Sequence, residues 1–433
     1  MTTVLLVGSS GREHAIAEAI IRSESKQKLV SFMSSNNPGI RHLSTHTEIG
    51  NLSDVEAIKR FAIKNKPDFC FVGPELPLSA GLVDELDGQG IPCVGPFKSA
   101  AQLEISKSFT RLLMEKYRIQ GNPKMKIFDS LTGIEEWMQQ LEQVVVKPDG
   151  LTGGKGVRVQ SDHFQTHKEA LQYAKEIISQ HQKVIVEEKL EGEEFSLMSL
   201  TDGKHLFDCP AVQDHKRAFE GDTGPNTGGM GSYSDSNHLL PFLTKKDVAE
   251  AHTITEKVLH AINKELGLKY KGVMYGGFMA TKHGVKLIEY NARFGDPEAM
   301  NVLPIMSSDF VETCWRIIDG NLRGVQFDKK ATVCKYLVPQ GYPDEPKKGI
   351  LKVGKISPDA RLYYASVDQQ NDGLHSTASR AIAIVGIANS LAEAELIAEK
   401  NCSKIEGPLV HRKDIGTAEL VNKRVEHMKR LRA

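Results

Sequence analysis

Residues 144–159, VVVKPDGLTGGKGVRV, place four glycines and two lysines between two valine-rich runs. Bare backbone N–H groups and a lysine ammonium are well suited to binding phosphate. A Walker loop needs G-x-x-x-x-G-K-[ST] at the start of a helix, but Gly150 and Lys155 are one residue too close and Gly156 replaces the Ser or Thr. The alternating GVRVQS that follows predicts a strand. The pattern therefore predicts a strand–loop–strand hairpin, which is either a lid over phosphates or an ordinary glycine-rich turn.

A second candidate site lies in LIEYNARFGDPE, residues 287–298. On a strand, Glu289 and Asn291 point to one face while Tyr290 points to the other. A carboxylate and an amide oxygen side by side suit a hard cation such as magnesium, completed by water and nucleotide phosphates. Arg293 shares that face if the strand continues, where its charge could neutralise a phosphoryl group in transit. An alternating surface strand has the same pattern, so both interpretations stay open on these residues alone.

The elements around these segments indicate several α/β units. Strand-like and helix-like runs alternate over the first hundred residues, which predicts a parallel sheet covered by helices. The first turn, VGSSGREH, is either a weak anion cradle or a tight turn. One long amphipathic segment is expected from Ser99 to near Arg118, and residues 122–190 read as a small α+β unit, with a capping box formed by Thr132 and Glu135. A long helix is expected near 245–266, and strands return after about Lys330.

The bulk composition excludes several classes of protein. Lys plus Arg equals Asp plus Glu at 55 each in 433 residues, so no net field attracts nucleic acid or an anionic membrane. The N-terminal sequence lacks a signal-peptide pattern, and no apolar run approaches the roughly 20 residues of a membrane span. The six cysteines are scattered without a C-x-x-C pair. We expect a cytoplasmic protein without nucleic-acid or membrane partners.

Eight motifs together resemble one enzyme family, the phosphoribosylamine–glycine ligases (glycinamide ribonucleotide synthetases) of the ATP-grasp superfamily. They occur in order from residue 7 to residue 416: VGSSGREHA, VGPELPLSAGLVD, VGPFKSAAQLEISKSFT, VVVKPDGLTGGKGV, QDHKR, DTGPNTGGMG, EYNARFGDPE and HRKDIG. The resemblance implies an ATP-grasp fold of the α/β and α+β multidomain class. It predicts an N-terminal Rossmann-like (pre-ATP-grasp) domain at 1–101, an ATP-grasp domain at 102–326 with a lid at about 122–190, and a small C-terminal domain at 327–433.

The resemblance also implies a reaction in purine biosynthesis. ATP would phosphorylate the carboxylate of glycine, and the amine of 5-phosphoribosylamine would displace phosphate from the glycyl phosphate. The products would be glycinamide ribonucleotide, ADP and phosphate. A closing lid would keep the acyl phosphate from water. The expected cofactors are ATP and Mg²⁺, with Mn²⁺ as a substitute, and the chain is expected to act as a monomer.

Residue roles follow from the same resemblance, motif by motif. Those expected at ATP are Lys107, Lys147, the lid residues Gly153, Gly154, Lys155 and Gly156, the adenine hinge Glu187, Glu188 and Leu190, and Glu194 at the ribose. Those expected at the metal are Glu289 and Asn291. Those expected to take part in catalysis are Arg293, Asp214 and Lys216. Those expected at glycine and phosphoribosylamine are His215, Arg217, Asp222, Thr223, Asn226, Thr227, Gly228, Gly229 and Met230, with Gly11 and Arg12 near the ribose phosphate.

Three departures and three alternatives remain. Ile105 stands where the family usually has glycine, and Pro148 and Thr152 stand where small residues are common, which bears on kinetics more than on reaction type. Another ATP-grasp ligase or carboxylase would not need the DTGPNTGGMG segment. A dinucleotide oxidoreductase would need an acidic residue after the second strand, and LVSFMSSNN has none. A nucleotide sensor without turnover is the third alternative.

Overall fold

The computed structural model describes residues 1–151 and 156–433. The N-terminal region forms a five-stranded parallel sheet in the order β3-β2-β1-β4-β5, which confirms the predicted alternation of strands and helices. Its elements are β1 (Thr2–Val7), α1 (Gly11–Ile21), β2 (Gln27–Met33), α2 (Pro38–Leu43), β3 (His46–Ile49), α3 (Val55–Asn65), β4 (Phe69–Val72), α4 (Glu75–Ala80), α5 (Leu82–Asp87) and β5 (Cys93–Val94).

The segment expected to run as one amphipathic stretch to Arg118 is broken into two helices. These are α6 (Gln102–Ile105) and α7 (Lys107–Lys116). Ser106 separates them with an extended backbone, and its side chain accepts a hydrogen bond from the Phe109 N–H as the N-cap of α7. A serine that can satisfy a free N–H of the first turn favours a new helix start over continuation. The break places Lys107 at the first position of α7.

Residues 125–188 form the small α+β unit, with an antiparallel sheet in the order β6-β9-β7-β8 and its own apolar core. The predicted strand–loop–strand hairpin is confirmed, since Val145 and Val146 of β7 pair with Val159 and Arg158 of β8. The predicted capping box is wrong, because Gly133 is the N-cap of α8 and no side chain caps that helix. The elements are β6 (Met125–Phe128), α8 (Ile134–Met138), β7 (Val144–Pro148), β8 (Arg158–Val159), α9 (His167–His181) and β9 (Val184–Glu188).

The central region is built on a four-stranded antiparallel sheet in the order β11-β10-β16-β17. The predicted long helix is confirmed as α10, which contacts both β16 and β17. The elements are β10 (Glu193–Thr201), β11 (Leu206–Asp208), β12 (Gln213–Asp214), β13 (Arg217–Phe219), β14 (Thr223–Asn226), β15 (Gly231–Ser234), α10 (Lys245–Leu266), β16 (Gly272–Thr281), β17 (Gly284–Asn291), α11 (Ala299–Val302), a 3₁₀ turn (Leu303–Ile305) and α12 (Phe310–Asp319).

The C-terminal strands share a sheet with the central region. β12 and β15 lie at one end of the order β12-β15-β18-β23-β20, so the loops around residues 214–231 are anchored to C-terminal strands. The helices of the described part of the chain include none that is long and apolar enough to cross a membrane. The elements are β18 (Ala331–Pro339), β19 (Ile350–Val353), β20 (Ala360–Tyr364), β21 (Val367–Gln370), β22 (Gly373–Ser376), β23 (Ile382–Ala388), α13 (Leu391–Cys402), β24 (Ile405–Glu406), β25 (Leu409–Val410) and α14 (Ala418–Arg432).

His14 joins the N-terminal region to the C-terminal sheet and gives a pH-dependent stability. Its Nδ1 accepts a hydrogen bond from the Tyr364 backbone N–H at 2.9 Å, and burial lowers the pKa of the imidazole to about 3. Below pH 6.5 the unfolded chain binds a proton at this side chain that the folded chain does not. We therefore expect the free energy of unfolding to fall as pH falls from about 6.5, by up to about 1.4 kcal/mol per pH unit.

Thermal unfolding between pH 7 and pH 5 checks this expectation. His14→Gln, which does not titrate, should flatten the dependence of the melting temperature on pH, whatever its effect on stability at pH 7. His42→Gln changes an exposed histidine of α2 and should leave the slope unchanged. Equal slopes for wild type and His14→Gln would contradict the assignment.

Candidate active site

The metal pair predicted from alternation lies at the end of β17. Glu289 and Asn291 are half-buried on one face, while Tyr290 is buried on the other, where its hydroxyl bonds to Thr255. Burial acts to raise the pKa of the Glu289 carboxyl, but nearby cations, led by Lys216, outweigh it and hold the pKa below its usual range. Two hard oxygen donors with an ionised carboxylate fit a magnesium ion. Within residues 1–151 and 156–433, no group of three or more His, Cys, Asp or Glu side chains could hold a metal.

Three lysines lie near enough to that carboxylate to lower its pKa against the effect of burial: Lys216, Lys107 and Lys147. Lys107 donates a hydrogen bond to the Gly150 carbonyl at 2.8 Å, and so holds the start of the hairpin loop. Lys216 lies 3.3 Å from Glu194, which is the leading cause of its raised pKa. Lysines as far as 109 positions apart in sequence, Lys107 and Lys216, thus place positive charge near the pair predicted to bind metal.

Lys147 belongs to a buried triad. Its Nζ lies 2.6 Å from Glu187 Oε2, and the guanidinium of Arg111 binds both oxygens of the same carboxylate at 2.6 and 3.2 Å. Burial acts to raise the pKa of Glu187, but the two cations outweigh it and hold the pKa at about 2. Burial lowers the pKa of Lys147, and the positive charge of Arg111 lowers it further, in spite of the Glu187 carboxylate.

The three residues expected at the adenine hinge lie at the end of β9. The side chain of Glu187 is committed to the triad, and the Glu188 carboxylate accepts the Lys124 backbone N–H at 2.8 Å. Leu190 is half-buried and Glu194 is exposed at the start of β10. The Glu187 side chain is therefore not free to contact a nucleotide base.

The hairpin loop is described in part. Gly153, Gly154 and Lys155, all assigned to the phosphate lid, lie outside the described residues. Gly156 is described, and its carbonyl accepts a hydrogen bond from the Tyr173 hydroxyl of α9 at 2.8 Å. Pro148 has no N–H to donate to a partner strand, yet it remains aligned with Val184 as the last residue of β7.

Asp214 lies near a second carboxylic acid, Glu298. Burial and then the Glu298 carboxylate raise the pKa of Asp214 well above its usual range, while Tyr275 donates a hydrogen bond to Glu298 Oε1 at 2.8 Å. The neighbouring His215 is buried, and in the described part of the chain neither of its ring nitrogens has a partner. Burial lowers the pKa of that imidazole to about 4, so it is neutral near pH 7.

Residues of the DTGPNTGGMG segment bind each other and their neighbours. Thr227 bonds to the Lys216 carbonyl through both its N–H and its hydroxyl, at 2.7 and 2.9 Å. The carbonyls of Gly228 and Gly229 accept hydrogen bonds from Arg380, at 2.7 and 3.1 Å. The Met230 N–H donates to the backbone carbonyl of His215. Thr223 is the first residue and Asn226 the last residue of the short strand β14, and Asp222 precedes that strand.

Two arginines assigned from the motifs are held by acids. Arg293 lies 2.9 Å from Glu104 and 3.5 Å from Glu75. Arg293 was expected on the face of Glu289 and Asn291 only if β17 continued that far, and this condition is not met because the strand ends at Asn291. Arg12 is buried, with its Nε 2.5 Å from Glu13 and its Nη1 on the Phe294 carbonyl at 3.1 Å. Gly11, at the start of α1, is packed so closely that an added Cβ would lie 2.6 Å from the Tyr336 hydroxyl.

Several site residues were missed by the sequence reasoning. They are the counter-ions and anchors Glu75, Glu104, Arg111, Asp296, Glu298, Arg380 and Arg412. Asp296 and Glu298 stand in RFGDPE, so that motif carried the signal. Arg111 and Arg380 lie far in sequence from their partners, and nothing in a single sequence pairs them.

Gly229 is the glycine at which a side chain is expected to be most harmful. Its φ is +111°, and an added Cβ would lie 2.5 Å from Asp214 Oδ1 and 2.7 Å from Pro297. Gly229→Ala must move the loop or the carboxylate, so we expect kcat/KM to fall by about tenfold or more. Steady-state kinetics check this. Gly320→Ala is the matched control, because Gly320 at the end of α12 also has a positive φ but nothing lies within 4 Å of its Cβ position. Equal losses in both variants would assign the effect to backbone strain alone.

Family models match most of the chain. The phosphoribosylglycinamide synthetase N domain matches residues 2–104, its ATP-grasp (A) domain residues 105–299, and its C domain residues 332–418. The chain belongs to the phosphoribosylglycinamide synthetase family. A phosphoribosylamine–glycine ligase of Methanocella arvoryzae is 47% identical over 431 residues, covering 99% of each chain.

Solved structures agree with this family. The phosphoribosylamine–glycine ligase of Thermotoga maritima matches with a TM-score of 0.81 and 25% identity, over 95% of this chain and 99% of that one. The biotin carboxylase domain of a Hydrogenobacter thermophilus 2-oxoglutarate carboxylase, solved with MgADP and bicarbonate, matches with a TM-score of 0.74, over 99% of this chain and 94% of that one. Its identity of 14% supports the ATP-grasp fold alone. The expected fold class, with N-terminal and C-terminal domains around an ATP-grasp core, is thereby confirmed for this member of the synthetase family.

Proposed function

We propose that this chain ligates glycine to 5-phosphoribosylamine at the expense of ATP, forming glycinamide ribonucleotide, ADP and phosphate in purine biosynthesis. The observation that carries the proposal is that the positive charges of Lys216, Lys107 and Lys147 outweigh burial and hold the pKa of the Glu289 carboxyl below its usual range, in a chain of the phosphoribosylglycinamide synthetase family. This arrangement concentrates positive charge where the γ-phosphoryl group of ATP would be transferred.

The first step activates the carboxylate of glycine, which is a poor electrophile. A glycine carboxylate oxygen attacks the γ-phosphorus of ATP, the bond from that phosphorus to the β–γ bridging oxygen breaks, and ADP leaves. The lysine ammoniums spread charge from the transferred group. Lys147 is oriented for this by Glu187, and Lys107 by its bond to the Gly150 carbonyl. A magnesium ion bound by Glu289 and Asn291, with manganese as a substitute, would supply further charge neutralisation to the phosphate oxygens.

The second step joins carbon to nitrogen. The amine of 5-phosphoribosylamine attacks the glycyl carbonyl carbon, the bond from that carbon to the phosphate oxygen breaks, and phosphate leaves while the nitrogen loses a proton. Asp214 and Glu298 supply an acidic wall that favours an amine or ammonium group. Arg293, between Glu75 and Glu104, is proposed to face the phosphoryl side. The hairpin loop 149–157 is proposed to cover ATP and to exclude water from the acyl phosphate.

The remaining roles extend this proposal. The main chain near Glu188 and Leu190 is assigned to adenine and Glu194 to the ribose, while Arg217, Thr227, Gly228 and their neighbours are assigned to the substrates. The chain is proposed to act as a monomer on small molecules. All six cysteines are free and buried, which supports a reducing compartment such as the cytoplasm.

ADP release by the purified protein tests the proposal. The assay contains ATP, magnesium and glycine, with and without phosphoribosylamine formed in situ from ribose 5-phosphate and ammonia. We expect ADP formation to require both co-substrates. ADP formed without dependence on glycine would overturn the substrate assignment and leave the nucleotide site standing, and tight ATP binding without turnover would favour a sensor.

A further inference from the structure

Asp222, at the tip of the hairpin formed by β13 and β14, is held by two arginines from the end of the chain. Its Oδ1 accepts from Arg412 Nη1 at 2.9 Å, and its Oδ2 accepts from Arg424 Nη2. The residue itself has a φ of +60°, a conformation that non-glycine residues rarely adopt without a holding contact. Both carboxylate oxygens are therefore directed at the C-terminal segment.

Arg412 is the centre of a larger set of contacts between this hairpin and residues 412–414. The side chain of Arg412 is 1% exposed. It binds Asp414 through two nitrogens at 2.9 and 2.7 Å, and it donates to the Arg217 carbonyl at 3.1 Å. The Gly221 N–H donates to Asp414 Oδ2 at 2.9 Å. A buried guanidinium whose partners lie on the hairpin and on its own segment costs desolvation energy, which suits a role in fixing a single arrangement of the two.

Arg424 ties the same hairpin to the central sheet. Its Nε lies 3.4 Å from Glu193 at the start of β10, and His427, one turn later in α14, lies 2.6 Å from the same carboxylate. At the end of α14, Arg432 binds both oxygens of Asp247 at 3.0 and 2.7 Å. The helix is thus anchored at three points, and the hairpin is fixed against a rigid element.

The other side of the hairpin reaches the candidate active site. Arg217 pairs with Asp162, in the small α+β unit of residues 125–188, at 2.6 Å and donates to the Gly224 carbonyl at 2.9 Å. The Lys216 carbonyl is bonded by Thr227. A displacement at Asp222 would therefore be passed along the short strands to Lys216 and Gly229, which carry proposed substrate contacts.

We propose that Arg412 and Arg424 are positioning residues, which act through Asp222 to hold the substrate-binding loop 214–230 in place. Asp222 then acts on the loop and not on the substrate, although the family resemblance groups it with substrate contacts. The inference rests on the proposed ligase function for its kinetic readout. The C-terminal helix α14 becomes part of the machinery that sets affinity for glycine and phosphoribosylamine, with no contact to either.

Kinetics of Arg424→Gln test this inference. We expect the KM of glycine or of phosphoribosylamine to rise about tenfold, the KM of ATP to change less than twofold, and Arg424→Lys to recover part of the loss. Arg430→Gln, an exposed arginine of the same helix, is the matched control and should leave all KM values unchanged. An equal rise in the KM of ATP, or unchanged substrate KM values, would overturn the proposal.

A double-mutant cycle and hydrogen exchange complete the test. Because Arg424 and Asp222 act as one unit, Asp222→Asn with Arg424→Gln should be no worse than the more severe single variant; additive losses would contradict the coupling. Amide exchange of residues 217–226 should be faster in Arg424→Gln than in wild type, with residues 144–148 unchanged. This readout needs no turnover, so it separates failure of the loop assignment from failure of the proposed function. Should Arg424→Gln not fold, Asp222→Asn alone carries the same expectations.

Discussion

Glu289→Ala is expected to lower kcat by about 100-fold to 1,000-fold, the range for removing a group that stabilises transition-state charge. Glu289 is the carboxylate whose pKa is held down, against the effect of burial, by the charges of Lys216, Lys107 and Lys147. Its loss removes the anionic ligand proposed for magnesium and leaves the lysines without their shared counter-charge. The dependence of rate on magnesium should shift to higher concentration. Steady-state ADP release across a magnesium titration measures both effects.

Tyr290→Phe provides the matched control, because Tyr290 is adjacent in sequence but points to the opposite face of β17. It loses one hydrogen bond to Thr255, 3.1 Å long, worth about 1 kcal/mol of stability. Its kcat should stay within about twofold of wild type. A Glu289→Ala protein with near wild-type kcat and unchanged magnesium dependence would contradict the proposal that Glu289 and Asn291 bind magnesium.

Glu187→Ala is expected to cause the largest loss of stability, about 3–5 kcal/mol, because it leaves the buried cations Arg111 and Lys147 without their common partner. The Arg111 guanidinium would keep only the Asn122 side chain and the carbonyls of Leu287 and Ile288. Urea unfolding followed by circular dichroism measures the loss. The neighbouring Glu188→Ala removes one bond to the Lys124 N–H and should cost about 1 kcal/mol. Similar losses in the two variants would contradict the special role of the triad.

The same triad predicts an acid dependence. Burial acts to raise the pKa of Glu187, but Arg111 and Lys147 outweigh it and hold the folded pKa at about 2, below the ordinary value of 4.5. A depressed folded pKa contributes stability that is present above about pH 4.5 and is lost as pH falls toward 2. Glu187→Gln should therefore flatten the decline of stability over that range. An unchanged decline would show that Glu187 is not the group that titrates.

Local patterns in the sequence predicted much of the scaffold for physical reasons. Strand and helix periods were visible in the first hundred residues, and the hairpin around Gly150 was predicted because valine alternation resumes after the glycines. Alternation also placed Glu289 and Asn291 on one face, opposite Tyr290. These features depend on neighbours along the chain, and so a single sequence contains them.

Long-range pairings could not be predicted in this way. Nothing local couples Arg111 to Glu187, or Asp222 to residues about 200 positions later. The capping box at Thr132 failed because Gly133 adopts a positive φ and starts the helix itself. The long amphipathic segment expected from Ser99 to near Arg118 is interrupted at Ser106, because that serine caps the second of two helices. In both cases a short-range signal lost to a competing local conformation.

The most direct test of the account follows the carboxylate oxygen of glycine. The protein is incubated with ATP, magnesium, phosphoribosylamine and glycine labelled with ¹⁸O in both carboxylate oxygens, and the released phosphate is analysed by mass spectrometry. Activation of the carboxylate by phosphorylation predicts one ¹⁸O atom in the phosphate for each glycinamide ribonucleotide formed. Phosphate without label, at the same yield of product, would contradict a glycyl phosphate intermediate and with it the central claim.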